Sequence, residues 1–173
     1  MEFELNEAIL MLERTPAVFK TLLSGLPETW TSSNESGDSW SPYDVVGHLI
    51  HGEKTDWLVR TKVILQSENK DFEPFDRFAQ FENSQGRSLT QLLGEFQELR
   101  KQNLVELKAL KLGRGDMNQE GIHPEFGAVR LQQLLSAWVV HDLGHIVQVS
   151  RVLAKQYTQA VGPWTKYLTV LGQ

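Results

Sequence analysis

The residues in this chain best suited to chemistry are two histidines four positions apart, within Trp138-Val139-Val140-His141-Asp142-Leu143-Gly144-His145-Ile146-Val147-Gln148. On a helix, side chains at that spacing share a face, with Cβ atoms about 5–6 Å apart. One metal ion at about 2.0–2.1 Å from a ring nitrogen of each can sit between them. Leu134, Trp138, His141, His145, Val149 and Val152 recur at helical steps of three and four, so the pair falls on the stripe expected to be buried. An imidazole there without a partner costs a few kcal/mol. The partner is either a shared metal ion or, for two ordinary core histidines, a backbone carbonyl or Asp142. The spacing alone leaves both readings open.

A third histidine, His48, lies on a different segment with a strong helix-start signal. Ser41-Pro42-Tyr43-Asp44 offers a capping serine, a proline for the first turn and a carboxylate three places after the cap. Val45, Val46, Leu49, Ile50, Trp57, Leu58, Ile64 and Leu65 carry the apolar side to about residue 66, and His48 sits on its margin. It is either a ligand or a boundary residue near a helix N-terminus. His51 follows three residues later. Glu53 and Asp56 are read as solvated charges, or as acceptors that orient an imidazole. His123, in Gly121-Ile122-His123-Pro124-Glu125-Phe126-Gly127, is read as a surface histidine held by a turn, in a loop leading into the histidine-bearing helix.

The elements that must position these groups are helical. Leu5, Ala8, Ile9, Leu12, Phe19, Leu22, Leu23 and Leu26 form an apolar pattern around Pro16, which implies one kinked helix or a second segment capped by Thr15. Residues 28–40 read as a loop pinned by Trp30 and Trp40. Residues 67–87 form a long connection carrying Phe72, Phe75, Phe78 and Phe81, which either covers a pocket or plugs the bundle end. Ser88 and Gln91 open a third helix by a capping box, and nothing on that helix suggests chemistry, so its role is packing. A loop from Gly113 to about residue 128 precedes the fourth helix. Val161-Gly162-Pro163-Trp164-Thr165-Lys166-Tyr167-Leu168 predicts a short terminal helix, with Trp164 and Leu168 folded back.

Helices are therefore expected near residues 5–25, 42–66, 89–110 and 130–156, with Leu92, Leu93, Phe96, Leu104, Leu134 and Trp138 buried. The implied fold is all-α: a single-domain four-helix bundle over residues 1–173, with long connections. Bundle metal sites are built from inward side chains on adjacent helices, the setting that a triad of His48, His141 and His145 requires. Three neutral imidazoles leave a fourth coordination position open, the pattern of a catalytic centre.

Composition narrows the function classes. At 173 residues with 40% hydrophobic content, the chain can bury a sizeable core. It has no apolar run of membrane-spanning length, and its acidic, periodic start is unlike a signal peptide, so no membrane association and a cytoplasmic location are expected. The net charge of −5 and the lack of a basic cluster disfavour nucleic acid. There is no cysteine, which excludes disulfides, thiolate ligands and a cysteine nucleophile.

Ser39-Trp40-Ser41-Pro42 leading into His48-Leu49 with Glu53, followed by His141-Asp142 with His145 and Gln148, resembles the DinB-like (YfiT-like) superfamily. The resemblance runs from the Thr15-Pro16 helix to Gly162-Pro163-Trp164. It implies a four-helix bundle, often dimeric, holding a divalent metal through one histidine of the second helix and two of the fourth. On this chain those are His48, His141 and His145; His51 and His123 match no ligand position. The metal is Zn, Ni, Mn, Fe or Co, since imidazole suits several of these ions. Similar proteins are described as metal-dependent hydrolases, or as transferases and isomerases using a small thiol such as bacillithiol, mycothiol or glutathione. The leading expectation is a metal-dependent thiol S-transferase acting on a small molecule, as a homodimer. A metal-dependent hydrolase is the alternative, and a non-catalytic metal-binding bundle is the contrasting class.

Overall fold

The computed structural model describes residues 2–172. Its long helices are α1 (Leu5–Leu23), α3 (Pro42–Thr55) continued by α4 (Trp57–Gln66), α6 (Leu89–Ala109) and α7 (Leu131–Lys155), with short helices α2 (Glu28–Thr31) and α5 (Ala79–Ser84) in the connections. α3 packs against α6, α7 and α5, while α1 packs against α6 and α7. The four-helix bundle expected from the apolar periodicity is present, and Leu92, Leu93, Phe96, Leu104, Leu134 and Trp138 are all buried.

The start signals act as their chemistry requires. The Ser41 hydroxyl accepts from the Asp44 N–H while the Asp44 carboxylate accepts from the Ser41 N–H, and Ser88 and Gln91 repeat this reciprocal box on α6. Pro16 lies inside an unbroken α1, so one helix forms and Thr15 starts no second segment; its hydroxyl donates back to the Met11 carbonyl.

Four local expectations are corrected. The second helix divides at Asp56, whose φ of −114° and ψ of −85° end α3 and start α4 without a proline. The stretch read as a loop before the last helix contains an antiparallel hairpin, β1 (Glu120–His123) with β2 (Gly127–Arg130), and Gly121 pairs with Val129. The hairpin is anchored by close approach: the Phe72 ring leaves no room for a Cβ at Gly121, and Phe72 N–H donates to the Ile122 carbonyl. The 67–87 connection gains α5 and divides its phenylalanines, burying Phe72, half-burying Phe75 and leaving Phe78 and Phe81 exposed. The terminal helix is two short 3₁₀ turns, Gly162–Tyr167 and Thr169–Leu171, and Trp164 is 65% exposed rather than folded back.

The core has two apolar halves. Ile9, Leu12, Trp57, Leu104, Leu134 and Trp138 belong to one, and Phe19, Val45, Leu49, Phe96 and Val149 to the other. Along every long helix a polar residue lies between the two: Thr15 on α1, Glu53 on α3, Arg100 on α6 and Asp142 on α7, all buried. Among the described residues no helix is long and apolar enough to cross a membrane.

Candidate metal centre

The three histidines named from the sequence converge, although 93 residues separate His48 from His141. His48 is carried into the bundle about two turns after the Ser41 cap, and it is buried. His141 and His145 are half-buried on α7, at the open margin of a stripe whose other members, Leu134, Trp138, Val149 and Val152, are fully buried. The His141 Nε2 lies 3.0 Å from His48 Nε2 and 3.1 Å from His145 Nε2. All three donor atoms fall within 4.8 Å of one another.

That geometry fits a shared cation. Ligand bonds of about 2.1 Å place neighbouring donors about 3.0 Å apart at right angles and about 3.4 Å apart on a tetrahedron. Hydrogen bonding alone serves the cluster poorly, because a ring nitrogen carries either one hydrogen or one lone pair. His141 Nε2 therefore cannot form two full hydrogen bonds to its neighbours, whereas a divalent ion satisfies three lone pairs at once. Burial, reinforced by the neighbouring imidazoles, lowers the pKa of His48 to about 3. Burial and His141 lower that of His145 to about 4, against a hydrogen bond to Gln148. Both rings are neutral at physiological pH, the form that binds metal.

Aromatic side chains close around the cluster. Trp40 lies 4.8 Å from the His48 ring and stacks on His145 at 6.4 Å, so the residue expected only to pin a loop forms a wall of the site. Phe75 meets His48 edge-on at 5.5 Å and His51 at 4.9 Å. Trp57 lies against His141 at 5.0 Å and stacks on Trp138. His51 is buried beside Phe75, with its Nε2 3.5 Å from the Thr55 hydroxyl, and is not one of the three convergent donors. His123 is placed elsewhere: its Nδ1 accepts from the Glu125 and Phe126 N–H groups, the turn-held histidine expected.

Behind the histidines lies a buried ion cluster that the sequence reading missed. Arg100, only 1% exposed, donates through Nε and Nη2 to Glu53 Oε1 at 3.0 and 2.7 Å. Its Nη1 donates to Asp142 Oδ2 at 2.7 Å and to the Leu12 carbonyl at 2.8 Å. Glu53 also accepts from Trp138 Nε1 and Asn103 Nδ2, and the guanidinium lies over the Phe96 and Trp138 rings. Glu53 and Asp56 are therefore not solvated: the first is held by Arg100 and the second by Arg60, at 2.7 Å. Burial raises the pKa of Glu53, against the pull of Arg100 and Asn103. Burial also acts to raise Asp142, but His141 and Arg100 outweigh it and hold that carboxyl below its usual range. A signal for Arg100 existed in its position, four residues after Phe96 and four before Leu104, on the stripe that α6 buries.

Comparison with known proteins places the chain in a family. No curated protein matches the chain. Among solved structures it is similar to YfiT from Bacillus subtilis, described as a probable metal-dependent hydrolase with an unusual four-helix bundle topology. The two share 21% identity over 87% of this chain and 86% of that one, with a TM-score of 0.74, a likeness of fold. The sequence profile of the DinB superfamily matches residues 11–149, which takes in Trp40, Glu53, Arg100 and all three convergent histidines. The chain belongs to the DinB superfamily.

Proposed function

We infer that the protein is a metal-dependent enzyme whose divalent ion is held by His48, His141 and His145. The observation that carries this reading is the mutual approach of three Nε2 atoms from two helices, with distances of 3.0 and 3.1 Å to the central one. When bound, the ion supplies positive charge that favours the deprotonated, reactive form of a nucleophile beside it. The chain's own residues do the rest. Three imidazole ligands add no negative charge to the ion, and Trp40 and Phe75 line the His48 side of the site.

The finer reading is a thiol S-transferase: a small thiol loses its proton to solvent, its sulfur forms a bond to an electrophilic carbon of an organic substrate, and a leaving group departs from that carbon with the bonding pair. Two features support it. The chain has no cysteine, so sulfur must arrive on a cosubstrate, and the aromatic walls suit an organic ligand. Hydrolysis, with water as nucleophile, is the second reading, favoured by the description of the YfiT structure. The test is conjugation of several low-molecular-weight thiols with a reactive electrophile, with and without added divalent metal. The expected result is a metal-dependent acceleration that chelation abolishes. Equal rates with and without metal would count against the transferase, and metal-dependent ester or amide cleavage in the same preparations would favour the hydrolase.

A further inference from the structure

Two buried polar atoms at the back of the histidine cluster have no hydrogen-bond partner among the described residues: His141 Nδ1 and Asp142 Oδ1. They lie 3.8 Å apart, too far for a formed hydrogen bond and too close to be unrelated. The other oxygen of that carboxylate, Oδ2, is taken by Arg100. Arg100 is itself fixed by Glu53 on α3, by the Leu12 carbonyl on α1 and by the aromatic faces of Phe96 and Trp138. Asp142 is thus held by one oxygen while its second faces the imidazole of its neighbour.

We propose that Arg100 and Asp142 are positioning residues for the metal centre, setting the tautomer of His141. The proposal rests on the metal-centre reading above. An ionised carboxylate can only accept, so the pairing open to these two atoms is Nδ1–H of His141 donating to Oδ1 of Asp142. With the proton on Nδ1, the lone pair is on Nε2, the atom that faces His48 and His145. Metal-ligating histidines commonly donate their other N–H to such an acceptor, which fixes the ring and raises its basicity. His145 has a matching arrangement on the same helix, where its Nδ1 lies 2.8 Å from the Gln148 Oε1. For His48 the corresponding Nδ1 is buried without a partner among the described residues, so this support belongs to the α7 pair.

A purely structural ion pair between Arg100 and Asp142 predicts something different. In Asp142→Asn, Arg100 draws the amide oxygen toward itself and turns the NH₂ group toward His141. That forces Nδ1 to accept and moves the proton to Nε2, where it blocks the metal. A structural pair would lose stability and leave the tautomer alone.

The experiment records imidazole ¹⁵N NMR spectra and zinc affinity by chelator competition for wild-type, Asp142→Asn and Arg100→Lys proteins. Metal-free wild-type protein is expected to show His141 with its proton on Nδ1, and Asp142→Asn with the proton on Nε2 and zinc bound about 10–100-fold more weakly. Arg100→Lys, which keeps charge but not the forked geometry, should weaken zinc in the same direction. An Nε2–H tautomer in the wild-type protein overturns the proposal even if neither variant folds. Zinc affinity and tautomer unchanged in Asp142→Asn overturn it too, while leaving the metal centre intact. Failure of wild-type protein to bind zinc, nickel, manganese, iron or cobalt sinks the metal-centre reading instead, and the tautomer spectra still decide the role of Asp142.

Discussion

At the scale of single residues, burial is what makes the histidines useful. Unfolded, His48 and His145 take up protons near 6.5. Folded, they do so only near 3 and near 4, because burial penalises the charged ring. Between those values the unfolded chain binds more protons, so stability rises with pH there. The metal-free protein should therefore have its full stability, as far as these groups decide it, above pH 6.5. It should lose stability as the pH falls through the window below, with a slope approaching about 1.4 kcal/mol per pH unit for each ring. Urea unfolding at several pH values checks this, and His48→Gln should flatten the slope between pH 6.5 and 5. An unchanged slope in that variant would show that His48 is not held neutral by the fold. His51 is the contrasting case. It is buried against Phe75 but not among the convergent donors, so His51→Ala should cost stability through lost packing while metal stoichiometry and affinity stay as in wild-type.

At the scale of elements, legibility followed locality. The Ser41–Asp44 and Ser88–Gln91 boxes and the α7 stripe depend on residues three or four apart, and each was readable directly. What stayed hidden depends on distant partners. The break at Asp56 pairs it with Arg60 only four residues on, but Arg60 is itself held from the following connection, by the Glu73 carbonyl and the Phe72 ring. The hairpin has strands of only four residues, too short for a clear alternation, and is held by Phe72. Two of the convergent histidines share a helix face and the third follows a strong cap. Those patterns left ligation open and it was the family resemblance that picked out the set, while Arg100 was passed over on a helix assigned to packing. A lone arginine on an apolar stripe implies buried carboxylates elsewhere, and Glu53 and Asp142 occupy corresponding stripe positions on α3 and α7. Arg100→Met should destabilise the protein by about 3–5 kcal/mol, because the Glu53 and Asp142 carboxyl groups lose the buried cation between them. Chemical denaturation at neutral pH measures this, and a loss below about 1 kcal/mol would mean that the cluster does not hold the four helices together.

At the scale of the whole molecule, the bundle brings together two things at the same level. A charged layer links all four long helices between two apolar halves of the core, and a histidine cluster opens from that layer toward the surface. The layer sets two carboxyl groups, Glu53 and Asp142, against one guanidinium behind the histidine cluster. The fold and its family follow from the sequence profile and the structural likeness, whereas the chemistry rests on the three histidines. A ligand that binds only the folded state stabilises it by RT ln(1 + [L]/Kd), about 2.7 kcal/mol at a hundredfold excess over Kd. For a chain of this size that corresponds to a rise in melting temperature of roughly 5–10 °C.

The central claim is therefore tested most directly by measuring bound metal and melting temperature together, on metal-stripped, untagged protein reloaded with each candidate divalent ion. The account predicts one equivalent of at least one ion per chain with that rise in melting temperature, and loss of both in His48→Ala, His141→Ala and His145→Ala. A wild-type protein that melts at the same temperature with and without every ion, or a His141→Ala variant that binds as tightly as wild-type, would contradict it.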